Sequence, residues 1–148
     1  MAKCESIGRY ISEIYRMGGK FYSKAFNKFN IGSGQYIFLL HLYFNDGINQ
    51  ECISSNLNID KGTTARALKR LEELQYVERV VDKEDKRAYR VFLTEKAKDI
   101  EEEFFFTLSS WNDVLSKDFT EEEKVMAINL LKRMTNNYKN IIWGGNYG

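Results

Sequence analysis

Apolar residues at helical spacing dominate both ends of the chain. Ile7 and Ile11 belong to a pattern with a period of about 3.6 residues, and neighbouring tyrosines widen the apolar surface beyond one stripe. The same period returns after about residue 95. Further along, Thr120 and Glu123 form a capping-box pattern that begins a last helix. We predict long helices at both ends of the chain.

These terminal helices are apolar on more than one side, so each needs more than one packing partner. One solution is a larger monomer core, and the other is association with a second copy of the chain. We favour the second solution and predict a homodimer with residues 1–30 and 95–143 as its dimerisation helices.

Residues 50–75 predict two short helices joined by a tight turn. The second begins after Asp60, which can accept backbone N–H groups as an N-cap. Its predicted apolar stripe consists of Ala65, Leu68, Leu71 and Leu74. Small, hydroxyl-bearing and basic residues occupy the other side, which suits a DNA groove. An ordinary amphipathic helix with a solvated basic face has the same pattern, so this helix alone does not decide the function.

Two β-strands and a basic turn follow that helix. VERVVD and RAYRVFLT are rich in β-branched and aromatic residues, and the charged turn KEDKR joins them. A helix of groove size followed by a cationic hairpin is the layout of a winged helix-turn-helix. We predict a mainly α (α+β) fold with this unit at residues 33–94. Its helix-turn-helix lies at about 50–75 and its wing at about 77–94.

The central segment resembles the MarR family of bacterial winged-helix transcription regulators. The resemblance lies in IDKGTTARALKRLEELQYVER, in the D-x-R pattern of Asp85 and Arg87, and in the closing VFLT. Upstream, INQECISSNLNI resembles the family's first motif helix. The resemblance covers about residues 33–98 in detail, and the flanking helices fit the family plan. It therefore implies a single domain over residues 1–148.

The resemblance also implies a function. Members of this kind are most often homodimeric repressors that bind a pseudo-palindromic operator through two recognition helices roughly 34 Å apart. Backbone and hydroxyl donors at the helix start suit phosphates, and arginine can also reach a guanine edge. Cations at the hairpin tip can reach an adjacent minor groove or the flanking phosphates. The predicted DNA contacts are Lys61, Gly62, Thr63, Thr64, Arg66, Lys69, Arg70, Lys86, Arg87 and Arg90.

Two positions depart from the family pattern. Gln75 stands where the family usually has a glycine as a left-handed C-cap, a conformation that costs a residue with a Cβ roughly 1–2 kcal/mol. Ala97 stands where a glycine is common after the hairpin. Neither departure alters a predicted DNA-facing side chain, so we expect them to affect local stability rather than function.

The net charge of +1 argues at first against a nucleic-acid-binding protein, but the distribution of charge answers the objection. Residues 60–90 hold nine basic against seven acidic residues, whereas residues 95–124 hold ten acidic residues against four lysines. This asymmetry is compatible with one DNA-facing surface. The chain has no apolar run of about 18 residues and no signal-peptide pattern, so we predict a cytoplasmic protein.

The signal that controls the regulator is less well defined by the sequence. The resemblance implies a small phenolic or lipophilic effector bound between the dimer helices and the winged domain. Candidate pocket residues are Tyr10, Ile14, Tyr36, His41 and Trp111. Aromatic residues at helical spacing are more often core than pocket. The alternative is thiol-based redox sensing at Cys4 or Cys52, although neither cysteine has a neighbouring pattern that lowers a thiol pKa.

Other functional classes find less support. His41 is the single histidine and no ligand spacing is present, so we predict no metal site and no cofactor. The chain has neither a Gly-rich phosphate loop nor a nucleophile motif, so we predict no enzyme activity. A winged-helix module that binds protein would tolerate apolar or acidic outward residues. The outward Arg66, Lys69 and Arg70 favour DNA instead.

Overall fold

The computed structural model describes residues 5–143, which form seven α-helices, one 3-10 turn and a three-stranded antiparallel sheet. In chain order these are α1 (Ile7–Ala25), the 3-10 turn (Asn27–Phe29), α2 (Tyr36–Phe44), β1 (Ile48–Asn49), α3 (Gln50–Leu57), α4 (Lys61–Glu73), β2 (Val77–Val81), β3 (Tyr89–Leu93), α5 (Glu95–Asp99), α6 (Glu101–Leu115) and α7 (Glu121–Trp143). The mainly helical fold with a small sheet is confirmed. The chain divides into two compact units, Met1–Trp111 and Asn112–Gly148.

The first helix is shorter than the sequence pattern predicts. Ser6 caps α1 by accepting the backbone N–H of Arg9, and the α-helix ends at Ala25 rather than near residue 30. Phe26 leaves the helix and is completely buried, and the 3-10 turn that follows ends at Asn30 with a left-handed φ of 58°. Burial of an aromatic ring in the core therefore stops the helix where the apolar period continues.

The core of the first unit brings together the helices and the sheet. Aromatic rings stack through it, with Phe26 and Phe104 at a centroid distance of 4.9 Å. The largest fully buried side chains are Tyr76, Phe26, Phe38, Phe104, Ile31, Leu39, Leu42, Ile53, Leu68, Leu71, Val77 and Val91. Burial of this much apolar surface provides the main driving force for the fold.

The hairpin formed by β2 and β3 follows α4 directly in the chain and belongs to the three-stranded sheet. Its strand order is β1-β3-β2, and Arg79 of β2 lies opposite Val91 of β3. Gln75 turns the chain from α4 into β2 with φ of +66°, so the left-handed conformation predicted from the family's glycine is confirmed. The hydroxyl of Thr94 donates to the Gln75 carbonyl at 2.6 Å, which closes the turn against the end of the hairpin.

The helical segment that the apolar period predicts after about residue 95 begins as two helices rather than one. Thr94 caps α5 by accepting the backbone N–H of Ala97, and the chain bends at Ile100 before α6 begins. Ala97 lies within α5 with negative φ and is completely buried. Alanine is therefore at no conformational disadvantage here, because this position does not need the left-handed conformation that favours glycine.

The second unit contains α7, which opens with the predicted capping box. The N–H of Thr120 donates to Glu123 Oε2 at 2.8 Å, and the N–H of Glu123 donates to Thr120 Oγ1 at 3.2 Å. Many apolar side chains of α7 are exposed, among them Val125, Met126, Ile128, Leu131, Tyr138 and Ile141. Within residues 5–143, no helix combines the length and apolar content needed to cross a bilayer.

Candidate nucleic-acid interface

The first turn of α4 is held by its N-cap, Asp60. The carboxylate accepts the backbone N–H of Thr63 at 2.8 Å and the Thr63 hydroxyl at 2.6 Å. The hydrogen bond from the Thr63 hydroxyl, reinforced by the one from its N–H, holds the pKa of the Asp60 carboxyl below its ordinary value. The predicted cap is confirmed, and it orients the start of the helix.

Arg66 and Gly62 fit together on the outward face of α4. The guanidinium of Arg66 donates to the Thr63 hydroxyl at 3.1 Å and otherwise faces solvent. A Cβ at position 62 would lie 3.3 Å from both Arg66 Nη1 and Asp60 Oδ2. Glycine therefore leaves room for the guanidinium beside the helix start. Within residues 5–143, Arg66 has one hydrogen bond, to the neutral Thr63 hydroxyl, and a charge interaction with Asp60. A phosphate or a base can replace the hydrogen bond to that hydroxyl at little cost.

The other cations of α4 are exposed and weakly paired. Lys61 Nζ lies 3.4 Å from the Glu51 carboxylate of α3, and Arg70 Nη1 lies 3.5 Å from Glu73. Lys69 is also exposed. Ion pairs at such exposed positions contribute about 0–1 kcal/mol, so they do not prevent these side chains from reaching an anion.

Thr64 does not belong to this outward face. It is 1% exposed, and its hydroxyl has no hydrogen-bond partner among residues 5–143. The buried face of α4 consists of Thr64, Ala67, Leu68 and Leu71, whereas Ala65 and Leu74 are only half-buried. The prediction that Thr64 donates to a phosphate is wrong, because the helix face is rotated relative to the stripe read from the sequence.

The tip of the wing presents Lys86 and Arg87 to solvent. Asp85 accepts the backbone N–H of Arg87 at 3.0 Å, and its own carbonyl accepts the N–H of Ala88. The Asp85 carboxylate therefore orders the backbone of the turn rather than the side chain of Arg87. Within the described part of the chain, no carboxylate pairs with the side chain of Lys86 or Arg87.

Arg90 is predicted to contact DNA, yet two of the five N–H donors of its side chain are used within the protein. Its Nε donates to Asp82 Oδ2 at 3.1 Å, and its Nη1 donates to the Gly47 carbonyl at 3.1 Å. Half of the side chain remains exposed. Arg90 therefore differs from Lys86 and Arg87, whose charged groups have no carboxylate partner between residues 5 and 143.

A second arginine connects α4 to the wing, and sequence reasoning missed it. Glu72 accepts the N–H of Arg79 at 3.2 Å and its Nη2 at 3.0 Å. These hydrogen bonds hold the pKa of the Glu72 carboxyl below its ordinary value. Arg79 shares the inward face of the hairpin with the buried Val77 and Val91. A cation on an inward strand position needs a partner, and that alternation was the signal available in the sequence.

Two of the five residues predicted to line an effector pocket share a neighbour. The rings of Tyr36 and Trp111 both lie against the ring of Tyr22, at centroid distances of 4.5 and 6.3 Å. Tyr10 and Ile14 are exposed on α1. His41 is half-buried, with Nε2 3.4 Å from the Asn56 amide nitrogen, and burial lowers its pKa.

Trp111 packs directly on the backbone of α1. A Cβ at position 18 would lie 3.3 Å from the indole Nε1, so glycine allows this close approach. An open cavity with a volume of about 720 Å³ lies along another part of α1, and none of the five predicted pocket residues lines it. Its lining residues are Arg16, Gly19, Lys20, Ser23, Lys24, Asn27 and Ser33.

The redox alternative depends on two cysteines, and no metal site was predicted. Cys52 is exposed on α3, and Cys4 lies outside the described residues. Between residues 5 and 143, no group of three or more His, Cys, Asp or Glu side chains is placed to hold a metal ion.

Comparison with known proteins supplies the family context. The model of the MarR family matches residues 31–89. A Bacillus subtilis protein named as an uncharacterized HTH-type transcriptional regulator, YybA, is 31% identical over 129 residues, covering 87% of this chain and 86% of its own. A MarR transcriptional regulator from Methanosarcina mazei has a TM-score of 0.88 at 44% identity, covering 90% of this chain and 96% of its own. A putative MarR family regulator from Listeria monocytogenes, solved in complex with a 26mer DNA, has a TM-score of 0.85 at 29% identity, with 98% and 99% coverage.

Proposed function

The chain belongs to the MarR family of transcription regulators, and on this premise we propose that it is a homodimeric, ligand-responsive repressor of a pseudo-palindromic operator. The observation that carries the DNA-reading part is the set of exposed, weakly paired cations on α4 and at the wing tip. Such cations bind phosphates and base edges, and a DNA-binding regulator of this kind acts in the cytoplasm.

We assign different roles to the two cationic elements. Arg66 lies at the start of α4, where recognition helices contact base edges, so we propose a base or phosphate contact there. Lys69 and Arg70 lie further along the same exposed face and suit the phosphate backbone. Arg87 at the wing tip suits an adjacent minor groove and the phosphates that flank it. Thr64 is excluded from this set by its burial.

The proposed dimer is supported by apolar surface that each unit leaves exposed. On α1, Ile7 is 63% exposed and Tyr15 is 80% exposed, while on α7 Val125 is 58% exposed and Tyr138 is 63% exposed. Large exposed apolar patches mark interaction sites, and a two-fold dimer covers the same patch on both chains. Light scattering should give about twice the chain mass of 17.4 kDa. A stable monomer at micromolar concentration would contradict the dimer.

For the effector, we propose an aromatic or lipophilic compound that contacts Tyr36 and Trp111. Both residues are only half-buried and share contact with Tyr22, so a flat ligand could stack beside them. Such a ligand regulates DNA binding only through different affinities for two dimer shapes. The alternative signal, oxidation of Cys52, rests on the exposure of that thiol. A protein-binding role is disfavoured by the cationic outward face of α4.

The test is selection of binding sequences from a random DNA pool by the purified protein. The proposal expects enrichment of a pseudo-palindrome whose half-sites are about one helical turn apart. Arg66→Ala should weaken binding to that sequence by about 1–3 kcal/mol. Arg133→Ala on α7 removes the same charge from another exposed surface and serves as the matched control, with light scattering used to verify that it has the same mass as wild type. Equal loss in both variants, or no enrichment, would contradict the proposed docking.

A further inference from the structure

The turn of the wing is built around a nearly buried carboxylate. The Asp82 side chain is 8% exposed, and its Oδ1 accepts the backbone N–H groups of Glu84 at 2.8 Å and Asp85 at 3.4 Å. Its Oδ2 accepts Arg90 Nε at 3.1 Å. One acidic side chain therefore fixes both the backbone of the turn and the arginine on the opposite strand.

Arg90 extends this connection to the loop before β1. Its Nη1 donates to the carbonyl of Gly47, whose own N–H donates to the Val91 carbonyl at 2.9 Å. Gly47 has φ of +80°, and a Cβ there would lie 2.8 Å from the Phe92 ring. The loop can therefore approach the hairpin only because glycine occupies this position.

This arrangement ties the exposed turn of the hairpin to the body of the fold. Arg90 pairs with Val80 across β2 and β3, and Asp82, one residue beyond β2, donates its backbone N–H to the Ala88 carbonyl at 2.9 Å. Beyond them, Lys86 and Arg87 extend into solvent without a carboxylate partner in the described chain. A two-stranded hairpin has little stability of its own, so the orientation of its tip depends on such connections.

We propose that Asp82 and Arg90 are positioning residues for DNA binding, which fix the wing turn so that Lys86 and Arg87 point at the DNA. This proposal rests on the DNA-binding function proposed above. It reassigns Arg90 from a phosphate contact to a structural connection between the wing and the Gly47 loop. It also explains why a negatively charged residue, Asp82, lies beside a surface that is proposed to contact DNA.

The effect of removing a negative charge on DNA binding distinguishes this proposal from an effect of net charge alone. Removing an acidic charge near a DNA-binding surface should strengthen binding if only net charge matters. Asp82→Asn and Glu84→Gln remove the same charge from the same turn, but the Glu84 side chain is exposed and has no role in the connection. We expect Asp82→Asn to weaken operator binding roughly tenfold, approaching the loss on removing the Arg87 side chain, and Glu84→Gln to leave it unchanged or strengthen it.

Adding Asp82→Asn to the variant Lys86→Ala/Arg87→Ala shows whether the effect passes through the wing tip. If Asp82 acts by positioning these two cations, the triple variant binds no more weakly than Lys86→Ala/Arg87→Ala, because coupled residues are not additive. A general loss of stability would instead add to the loss caused by Lys86→Ala/Arg87→Ala. The thermal unfolding midpoint of each variant, measured at one protein concentration, gives the stability directly.

Arg90→Lys and Arg90→Ala supply a second, independent comparison. Lysine keeps the charge but cannot span Asp82 and the Gly47 carbonyl with a planar fork. The proposal expects both variants to lose binding alike, whereas a direct phosphate contact would be largely retained in Arg90→Lys. Retention in Arg90→Lys, or stronger binding by Asp82→Asn, would overturn the inference. Failure of the wild-type protein to prefer any DNA sequence would instead overturn the proposed function.

Discussion

Replacing Gln75 with glycine should stabilise the protein. Gln75 links α4 to β2 with φ of +66°, a conformation that costs a residue with a Cβ roughly 1–2 kcal/mol. Its N–H donates to the Glu72 carbonyl and its carbonyl accepts the Thr94 hydroxyl. Both are backbone contacts that glycine retains. The Gln75 side chain is exposed, so its removal takes little packing away.

The unfolded state opposes part of this gain. Glycine gives the unfolded chain more conformational freedom, which costs about 0.4–1 kcal/mol. The net stabilisation is therefore roughly 0.5–1 kcal/mol, which corresponds to an increase in the melting temperature of about 1–4 °C for a chain of this size. Gln75→Ala keeps the Cβ, so it should lack this gain and serves as the control.

Thermal and urea unfolding of the three proteins at one fixed concentration measure this difference, since the stability of an oligomer depends on concentration. A Gln75→Gly protein that is less stable than wild type would refute the reasoning. It would mean that the Gln75 side chain stabilises the turn by more than the strain costs. An equal gain in Gln75→Ala would show that the left-handed conformation is not the cause.

Three further predictions concern the wing, the N-cap and the exposed thiol. Arg87→Ala should reduce the slope of log K against log salt by about 2 in a dimer, measured by fluorescence anisotropy, because about 0.9 is lost per phosphate contact; an unchanged slope would place Arg87 away from phosphates. The pKa of Asp60 is lowered in the folded protein, so its contribution to stability is present above the ordinary value of 3.8 and is lost as the pH falls below it. The melting temperature of wild type should therefore fall further than that of Asp60→Asn between about pH 5 and pH 3. If Cys52 is the signal, Cys52→Ser should keep DNA binding in peroxide while wild type loses it, and equal responses would remove the redox alternative.

The strongest local signals in the sequence were confirmed by the structure. Asp60 caps α4, Thr120 and Glu123 form a reciprocal box, and the charged turn joins two paired strands. Each of these features depends on residues close together in the sequence. Local hydrogen bonding and side-chain alternation are therefore enough to predict them.

The predicted buried face of α4 was wrong by one position at the start of the helix, where Thr64 is buried instead of Ala65. Thr64 is polar, so a hydrophobic pattern assigns it to solvent and takes Ala65 as the buried neighbour. The methyl group of threonine allows burial, and the helix places Thr64 on the same face as Leu68 and Leu71. A period alone does not separate two adjacent positions when one of them is a small amphipathic side chain.

The contacts of Arg90 and Arg79 could not be predicted from local patterns. Whether Arg90 reaches Asp82 depends on the exact pairing of the two strands, and its second partner, Gly47, lies 43 positions away. Glu72 lies on a helix and Arg79 on a strand, and the left-handed turn at Gln75 brings them together. Sequence reasoning therefore assigned Arg90 to DNA and gave Arg79 no role, although both side chains make contacts that stabilise the wing.

The central claim is that this chain reads a DNA sequence as a dimer through α4 and the wing. The most direct test is a titration of the purified protein against DNA from upstream of its own gene and against a scrambled duplex, across a salt series. The account predicts saturable binding that prefers the upstream sequence, with two chains per site and affinity that falls steeply with salt. Weak binding of equal strength to both duplexes would contradict it.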